Sequence, residues 1–406
     1  MLLSVSFLRP NKNKDIIHFQ EKMGIRFEIL FEENPNGMYF TGQIVKGRAI
    51  VYVDEQIPFK GIQLRVRGYA KVRWDEGSGK SSDVHFDQEK YFDSVTECID
   101  TKGLEQTLSP GIYAYDFQCV IPSECPSSFE GLYGRIRYDT KIIVVRPRAF
   151  NKSYSMGFTV LKIFDLNPLT ILRIPAKLEE FKHFCCGPCK SRPLVISLEI
   201  QRQSFVPGEL IEFKAKLVNN SSTTVEQVRV TLNLVALYSV RTRIKTKTEK
   251  IAIAKKKYGA FNKNTLFEFN EKLQVPPTPP TCIGLCPIIK LTYEVAVTAG
   301  VKGAHLNPFV AIPVTIGNIP YVGNAKDLFE PNLMASNLNN DIAPIPPTNE
   351  EFPPPSYEEA TFVLTTYDPK DSNVSDKTVE KFIPRYHFHG NMPHIDTENT
   401  NEDIKE

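Results

Sequence analysis

Two long runs of strict alternation constrain this chain more than any other feature. Over residues 62–74, Ile62, Leu64, Val66, Ala70, Val72 and Trp74 fall on one face of an extended strand, and Gln63, Arg65, Arg67, Tyr69, Lys71 and Arg73 on the other. Side chains of a β-strand point alternately to opposite faces, so this period of two reads as a strand with one buried side and one wet, basic side. Residues 228–240, VRVTLNLVALYSV, read the same way. The body carries no long amphipathic helical pattern. Short and long strands without helices predict an all-β chain built from sandwiches with Greek-key connections.

The β pattern repeats at domain scale. GQIVKGRAIV from Gly42 is similar to GELIEFKAKL from Gly208. Further on, FQCVIPSECPSSF followed by RIRYDTKIIV parallels NEKLQVPPTPPTC followed by IKLTYEVAV. Each copy has a strand ending at proline, a proline-rich turn and a return strand with one tyrosine, Tyr138 or Tyr293. With 406 residues and 41% hydrophobic content there is material for two such units. The expected boundaries are sandwiches over 23–170 and 193–320, joined by a linker over 171–192. Met23-Gly24 reads as a second start and 1–22 as a disordered extension. Beyond 320, Asn, Pro, Glu, Asp and Thr take over. Such a segment buries too little apolar surface to offset its ordering entropy, so 321–406 is expected to be disordered.

Charge divides the chain at the same place. From Asn324 to the end there are 16 acidic and 6 basic residues, a net of 6 − 16 = −10, which leaves +12 for the rest of a chain of net charge +2. A positive body points to anionic contacts, and an acidic tail to a solvated segment. No window reaches the roughly 18 apolar residues of a membrane span. The brief apolar start, residues 1–8, lacks the cationic leader of a signal peptide. Without one, the eight cysteines read as reduced cytosolic thiols and the sequon at Asn219 as unused.

Several short stretches, in order, resemble the arrestin-domain-containing proteins, or α-arrestins. Tyr39-x-x-Gly42-x-x-x-x-Gly47, the run from Ser109 to Phe117 and Ile121-Pro122 resemble the start and middle of an arrestin N-domain. Asp165-Leu-Asn-Pro168 and Cys185-Cys186-x-x-Cys189 resemble the interdomain region. Phe205-Val-Pro-Gly208 and residues 312–320, IPVTIGNIP, resemble the C-domain. The resemblance covers about residues 23–320. It implies two tandem arrestin-like, immunoglobulin-like sandwiches that act as an adaptor, with no catalytic site. It also implies a cytoplasmic protein recruited to the plasma membrane and endosomes, with cytosolic parts of receptors or transporters as partners.

The tail carries Pro354-Pro355-Ser356-Tyr357, a PPxY sequence. Adjacent prolines pre-set polyproline II, an extended backbone that WW domains read with an aromatic groove. Little ordering cost is then added on binding. The resemblance implies that Pro354, Pro355, Ser356 and Tyr357 recruit WW-domain-containing HECT ubiquitin ligases, which ubiquitinate cargo for endocytosis and endosomal sorting. Phosphate on Tyr357 would oppose entry into a tyrosine pocket. Ile383-Pro384-Arg385-Tyr386 lacks the first proline, so Pro384 and Tyr386 form at most a weak second site. No PTAP or PSAP sequence is present. The rival readings are an arrestin-fold endosomal sorting scaffold and a signalling regulator, both without a ligase.

Other constellations remain. Arg241, Arg243, Lys245 and Lys247 alternate with Thr242, Ile244 and Thr246. On one strand they would form a ladder of like charge, fit for inositol phosphate, anionic lipid or an acidic cargo tail. Equally, they would guard an exposed sheet edge against pairing. No nucleic-acid recognition module is visible. Cys185, Cys186 and Cys189 with Cys282 and Cys286 have thiolate spacings that could suit zinc, although buried or loop thiols account for them better. His387, His389 and His394 cluster in the tail, where a polar disordered segment is the simpler account. There is no P-loop, dinucleotide fingerprint or nucleophile elbow, and neither a cofactor nor an enzymatic activity is expected.

Overall fold

The computed structural model describes residues 24–32, 34, 36–77, 83–184, 192–321 and 382–389. The first part of the chain supplies β1 (Ile25–Phe31), β2 (Met38–Phe40), β3 (Ile44–Val53), β4 (Ile57–Phe59), β5 (Gly61–Glu76), β6 (Asp83–Asp100), β7 (Gln106–Leu108), β8 (Gly111–Val120), β9 (Phe129–Glu130), β10 (Gly134–Val145) and β11 (Lys152–Leu161). One sheet has the order β1-β3-β8, and the opposing sheet β2-β11-β10-β5-β6 with β9 on β10. All these pairs are antiparallel except β2 with β11, which run parallel through Met38–Phe40 and Thr159–Leu161.

A 3-10 turn, Thr170–Arg173, leads into β12 (Ala176–Lys182), β13 (Leu194–Ile200), β14 (Ser204–Phe205), β15 (Leu210–Asn219), β16 (Val225–Val240), β17 (Lys245–Tyr258), β18 (Thr265–Gln274), β19 (Ile289–Val301) and β20 (Phe309–Ile316). Their sheets have the orders β12-β13-β15-β18 and β14-β20-β19-β16-β17. The alternation of residues 62–74 is realised in full: Ile62, Leu64, Val66, Ala70, Val72 and Trp74 are all buried. In β16 the even positions from Val228 to Val240 are buried too, past a bulge at Leu232/Asn233.

The structure adds detail to two expectations. The middle of the 171–192 linker is β12, the edge strand of the second sandwich, paired with β13 from Ala176↔Ile200 to Lys182↔Leu194. Its side chains are almost all exposed, so it leaves no buried alternation in the sequence; its backbone hydrogen bonds alone make it a strand. Within the segment beyond 320, residues 382–389 lie against the body with Pro384 and Tyr386 buried.

The sandwiches share one connected apolar core. At their seam the Asn318 side chain accepts from the Phe164 amide (2.7 Å) and donates to the Lys162 carbonyl (2.7 Å). A bridge pairs Asp165 with Ile319, and the Asn167 amide donates to the Pro320 carbonyl at 3.0 Å. Elsewhere along the contact, the Tyr238 ring packs edge-on to Tyr133 and its hydroxyl donates to Glu249, which also accepts from the Leu132 amide.

Candidate functional site

The four cations read as a ladder do not share one strand. Residues 241–244 form the hairpin turn between β16 and β17, with Ile244 in the left-handed region (φ +50°). The turn places Arg241 against β6 of the first sandwich. Its backbone amide and Nε donate to Asp87 Oδ2 (2.9 and 3.0 Å), and its two terminal nitrogens reach Asp87 Oδ1 (3.0 Å) and Glu89 (2.7 Å). This hydrogen-bonded guanidinium holds the Asp87 carboxyl down at about 2. Lys245 sits 3.8 Å from Glu76, and the Lys247 ammonium lies 5.4 Å from the centroid of the Tyr133 ring. Arg243 is exposed. Arg241 and Lys245 thus join the two sandwiches, while Lys247 and Lys250 line β17, an outer strand of its sheet, where cations discourage pairing with another chain.

The basic face of β5 is also matched by acids. Arg65 chelates Asp93 across to β6, at 2.6 and 2.5 Å, and lowers its carboxyl. Arg67 pairs with the buried Asp139 of β10 at 2.9 Å. Much of the positive charge counted in the body is therefore engaged in fixing strands to one another.

The thiols are structural where they are described. Cys282 and Cys286 are buried, and burial pushes the Cys282 thiol up to about 11. No group of three or more His, Cys, Asp or Glu suited to a metal occurs among the described residues. Cys185, Cys186 and Cys189 lie outside them, as do Pro354, Pro355, Ser356, Tyr357 and His394. Among the described residues no helix is long and apolar enough to cross a membrane.

Pro384 and Tyr386 have a well-defined place. Residues 382–389 run across the seam from Gly157 of the first sandwich to Gly208 of the second. Phe382 lies over Gly157 of β11, where a Cβ would meet Phe382 Cδ2 at 2.5 Å. The same ring faces the Arg137 guanidinium, 5.7 Å from its centroid, and Glu130 holds that guanidinium with two bonds of 2.7 and 2.8 Å. The Arg385 amide donates to Thr159 Oγ1 (3.1 Å) and its guanidinium to Asn36 (2.9 Å).

Tyr386 is 1% exposed and packs with Leu161, Met38 and Phe40. Its hydroxyl donates to the Ser128 carbonyl at 3.1 Å, and burial raises its pKa well above the usual phenol value, so the ring is neutral. Over the second sandwich, the His389 amide donates to the Pro207 carbonyl (2.9 Å) and its Nε2 donates to the Asn318 carbonyl (2.8 Å). The His389 carbonyl stands where a Cβ on Gly208 would be.

Sequence reasoning missed this site, including Gly157, Thr159, Ser128 and Asn318. The available signal was Phe382-x-Pro384-x-Tyr386, apolar residues at every second position inside an otherwise polar tail. The two histidines assigned to that polar tail, His387 and His389, belong to this docked stretch, their rings edge-to-face at 4.5 Å.

Comparison with known proteins agrees with this architecture. The arrestin (or S-antigen) N-terminal domain matches residues 27–167, and the arrestin C-terminal domain residues 190–321. Arrestin domain-containing protein 17 of Caenorhabditis elegans is 32% identical over 311 residues, 73% of this chain and 71% of that protein. Arrestin domain-containing protein 4 of Mus musculus is 26% identical over 373 residues, 88% and 84% of the two chains. Human arrestin domain-containing protein 1 is 25% identical over 285 residues, 70% and 62% of the two chains. Two arrestin domains in tandem, with relatives that extend over most of its length, make this chain a member of the α-arrestin family.

Proposed function

We propose that the chain is an adaptor that links membrane-protein cargo to WW-domain-containing HECT ubiquitin ligases. The arrestin body would hold the cytosolic part of a receptor or transporter, and Pro354, Pro355 and Tyr357 would bring the ligase, with Ser356 as the spacer. The ligase supplies the chemistry. The adaptor supplies proximity, since joining two binding events in one chain makes the second effectively intramolecular. Ubiquitination would then direct the cargo into endocytosis and endosomal sorting, which places the protein in the cytoplasm and, when loaded, at the plasma membrane and endosomes.

The observation that carries this reading is a PPxY sequence in the segment that follows a two-domain arrestin body. The engagement of Arg241 and Lys245 with acids of the first sandwich argues against residues 241–247 as an open site for lipid or inositol phosphate. The test is binding of a peptide of residues 350–365 to a panel of WW domains. Micromolar binding that disappears with Tyr357→Ala is expected. No binding to any WW domain would remove the ligase and leave a sorting scaffold as the better reading.

A further inference from the structure

The stretch 382–389 makes side-chain contacts that a passing loop does not. Its two buried residues, Pro384 and Tyr386, are two positions apart, as in an edge strand, yet among the described residues it pairs with no strand. Instead several of its polar groups meet specific partners on the body. Two backbone amides, of Arg385 and His389, are satisfied by Thr159 and by the Pro207 carbonyl, and the Tyr386 hydroxyl by the Ser128 carbonyl. A buried tyrosine hydroxyl without such an acceptor would be costly. The proline fixes its own φ, which lowers the ordering cost of an extended segment.

The groove is equally specific from the body's side. Gly157 leaves the space that the Phe382 ring fills, and Gly208 the space for the His389 carbonyl. Met38, Phe40 and Leu161 form the apolar surround of the Tyr386 ring. The groove also draws on both sandwiches: Gly157, Thr159 and Ser128 come from the first, Pro207, Gly208 and Asn318 from the second. Asn318 is the residue that already ties the seam to Phe164 and Lys162.

We propose that this seam groove is a peptide-recognition site whose resident ligand is the chain's own aromatic-x-Pro-x-Tyr segment, residues 382–389, acting as a releasable strap. Docked, the strap withholds Pro384 and Tyr386 from any WW domain or kinase and fastens one sandwich to the other. Released, it exposes that tyrosine and leaves the groove open. Main-chain hydrogen bonds of Arg385 and His389 help to hold it, and its tether to the body supplies a high effective concentration. The inference does not depend on whether residues 354–357 bind a WW domain.

The test uses the full-length chain and hydrogen exchange read by mass spectrometry. In the wild type, the amides of Arg385 and His389 should exchange at least about 10-fold more slowly than free-peptide rates. Tyr386→Ala, on the strap, and Gly157→Ala, on the body, should each abolish that protection while β5, β10 and β16 keep theirs. A fluorescent synthetic peptide of residues 380–391 should bind the Tyr386→Ala chain at least about 10-fold more tightly than the wild type, whose own strap competes. Adding Gly157→Ala to that chain should abolish peptide binding. Unprotected Arg385 and His389 in the wild type, or equal binding of the peptide to the wild type and Tyr386→Ala, would overturn the proposal. If Gly157→Ala disturbs the strands themselves, the exchange and peptide data on Tyr386→Ala decide alone.

Discussion

Tyr138 of the first sandwich and Tyr293 of the second occupy the same place in the same pattern. Each is fully buried on a central strand, β10 or β19, and each hydroxyl donates to a proline carbonyl in the preceding turn, Pro126 at 2.6 Å or Pro279 at 2.5 Å. The likeness extends to the next residues. Ser128 and Val160 exchange two bonds, amide to carbonyl (2.7 Å) and amide to hydroxyl (2.9 Å); Thr281 and Ile316 do the same at 2.8 and 2.9 Å. In both sandwiches a short strand, β2 or β14, then pairs in parallel with the end of the last strand, β11 or β20.

The two differ in what closes that short edge. In the second sandwich it is Tyr321, just past β20, whose hydroxyl bonds Ser204 of β14 at 2.5 Å while Arg173 stacks 4.1 Å from its ring centroid. In the first sandwich it is Tyr386, in a segment whose Arg385 bonds a residue 226 positions away. A closure made by the next few residues is part of the fold. A closure made by a remote segment can be withdrawn while the sandwich stays intact.

The largest effects should come from the shared frame. Tyr138→Phe and Tyr293→Phe each leave a buried proline carbonyl without its donor and should each destabilise by about 1–3 kcal/mol in urea melts. A cost at one site and none at the other would break the equivalence of the two sandwiches. A matched glycine pair sharpens the difference between them. Gly42 and Gly208 both sit in the left-handed region, at φ +88° and +102°, before β3 and β15. Alanine at either should cost about 1–2 kcal/mol in backbone strain. A Cβ at Gly42 meets nothing within 4 Å, whereas one at Gly208 occupies the place of the His389 carbonyl. Gly208→Ala should therefore also strip exchange protection from residues 385–389, and Gly42→Ala should leave it intact.

The smallest expected effect concerns the ionic contact between the sandwiches. Arg241 is half exposed, so Arg241→Ala should lower stability by only about 1 kcal/mol, visible as a small drop in the urea midpoint. The Asp87 carboxyl is held below its unfolded value, at about 2. Its contribution is then complete above about pH 4 and is lost as the pH falls toward 2. Melts of the wild type and Arg241→Ala should differ at pH 6 and converge near pH 2. A gap that persists at pH 2 would mean that Arg241 acts by packing rather than by charge.

The frame was legible because burial writes itself into sequence as alternation. Residues 62–74 and 228–240 declare their faces, and the match of Gly42 with Gly208 and of Tyr138 with Tyr293 reveals the repeat. Strand β12 was not legible because it hides almost no side chain. The cations at 241–247 misled because their alternation continues through a turn, where period two no longer means a common face. Arg241 could be placed only once β6 had brought Asp87 beside it, and that pairing spans 154 positions. The strap is hard to see in the sequence because its apolar residues, Phe382, Ile383, Pro384, Tyr386 and Phe388, form a local pattern inside a tail of polar composition.

The strap also changes what kind of chain end this protein has. Tyr321 is fastened to Ser204 and Phe382 is seated over Gly157, so both positions are held on the body. Pro354–Tyr357 lie in the sequence between these two held positions. A doubly anchored loop sweeps a smaller volume than a free chain of the same length, and its middle cannot travel as far from the surface. Undocking residues 382–389 would remove the second of these two constraints from the proposed ligase-binding sequence at Pro354–Tyr357.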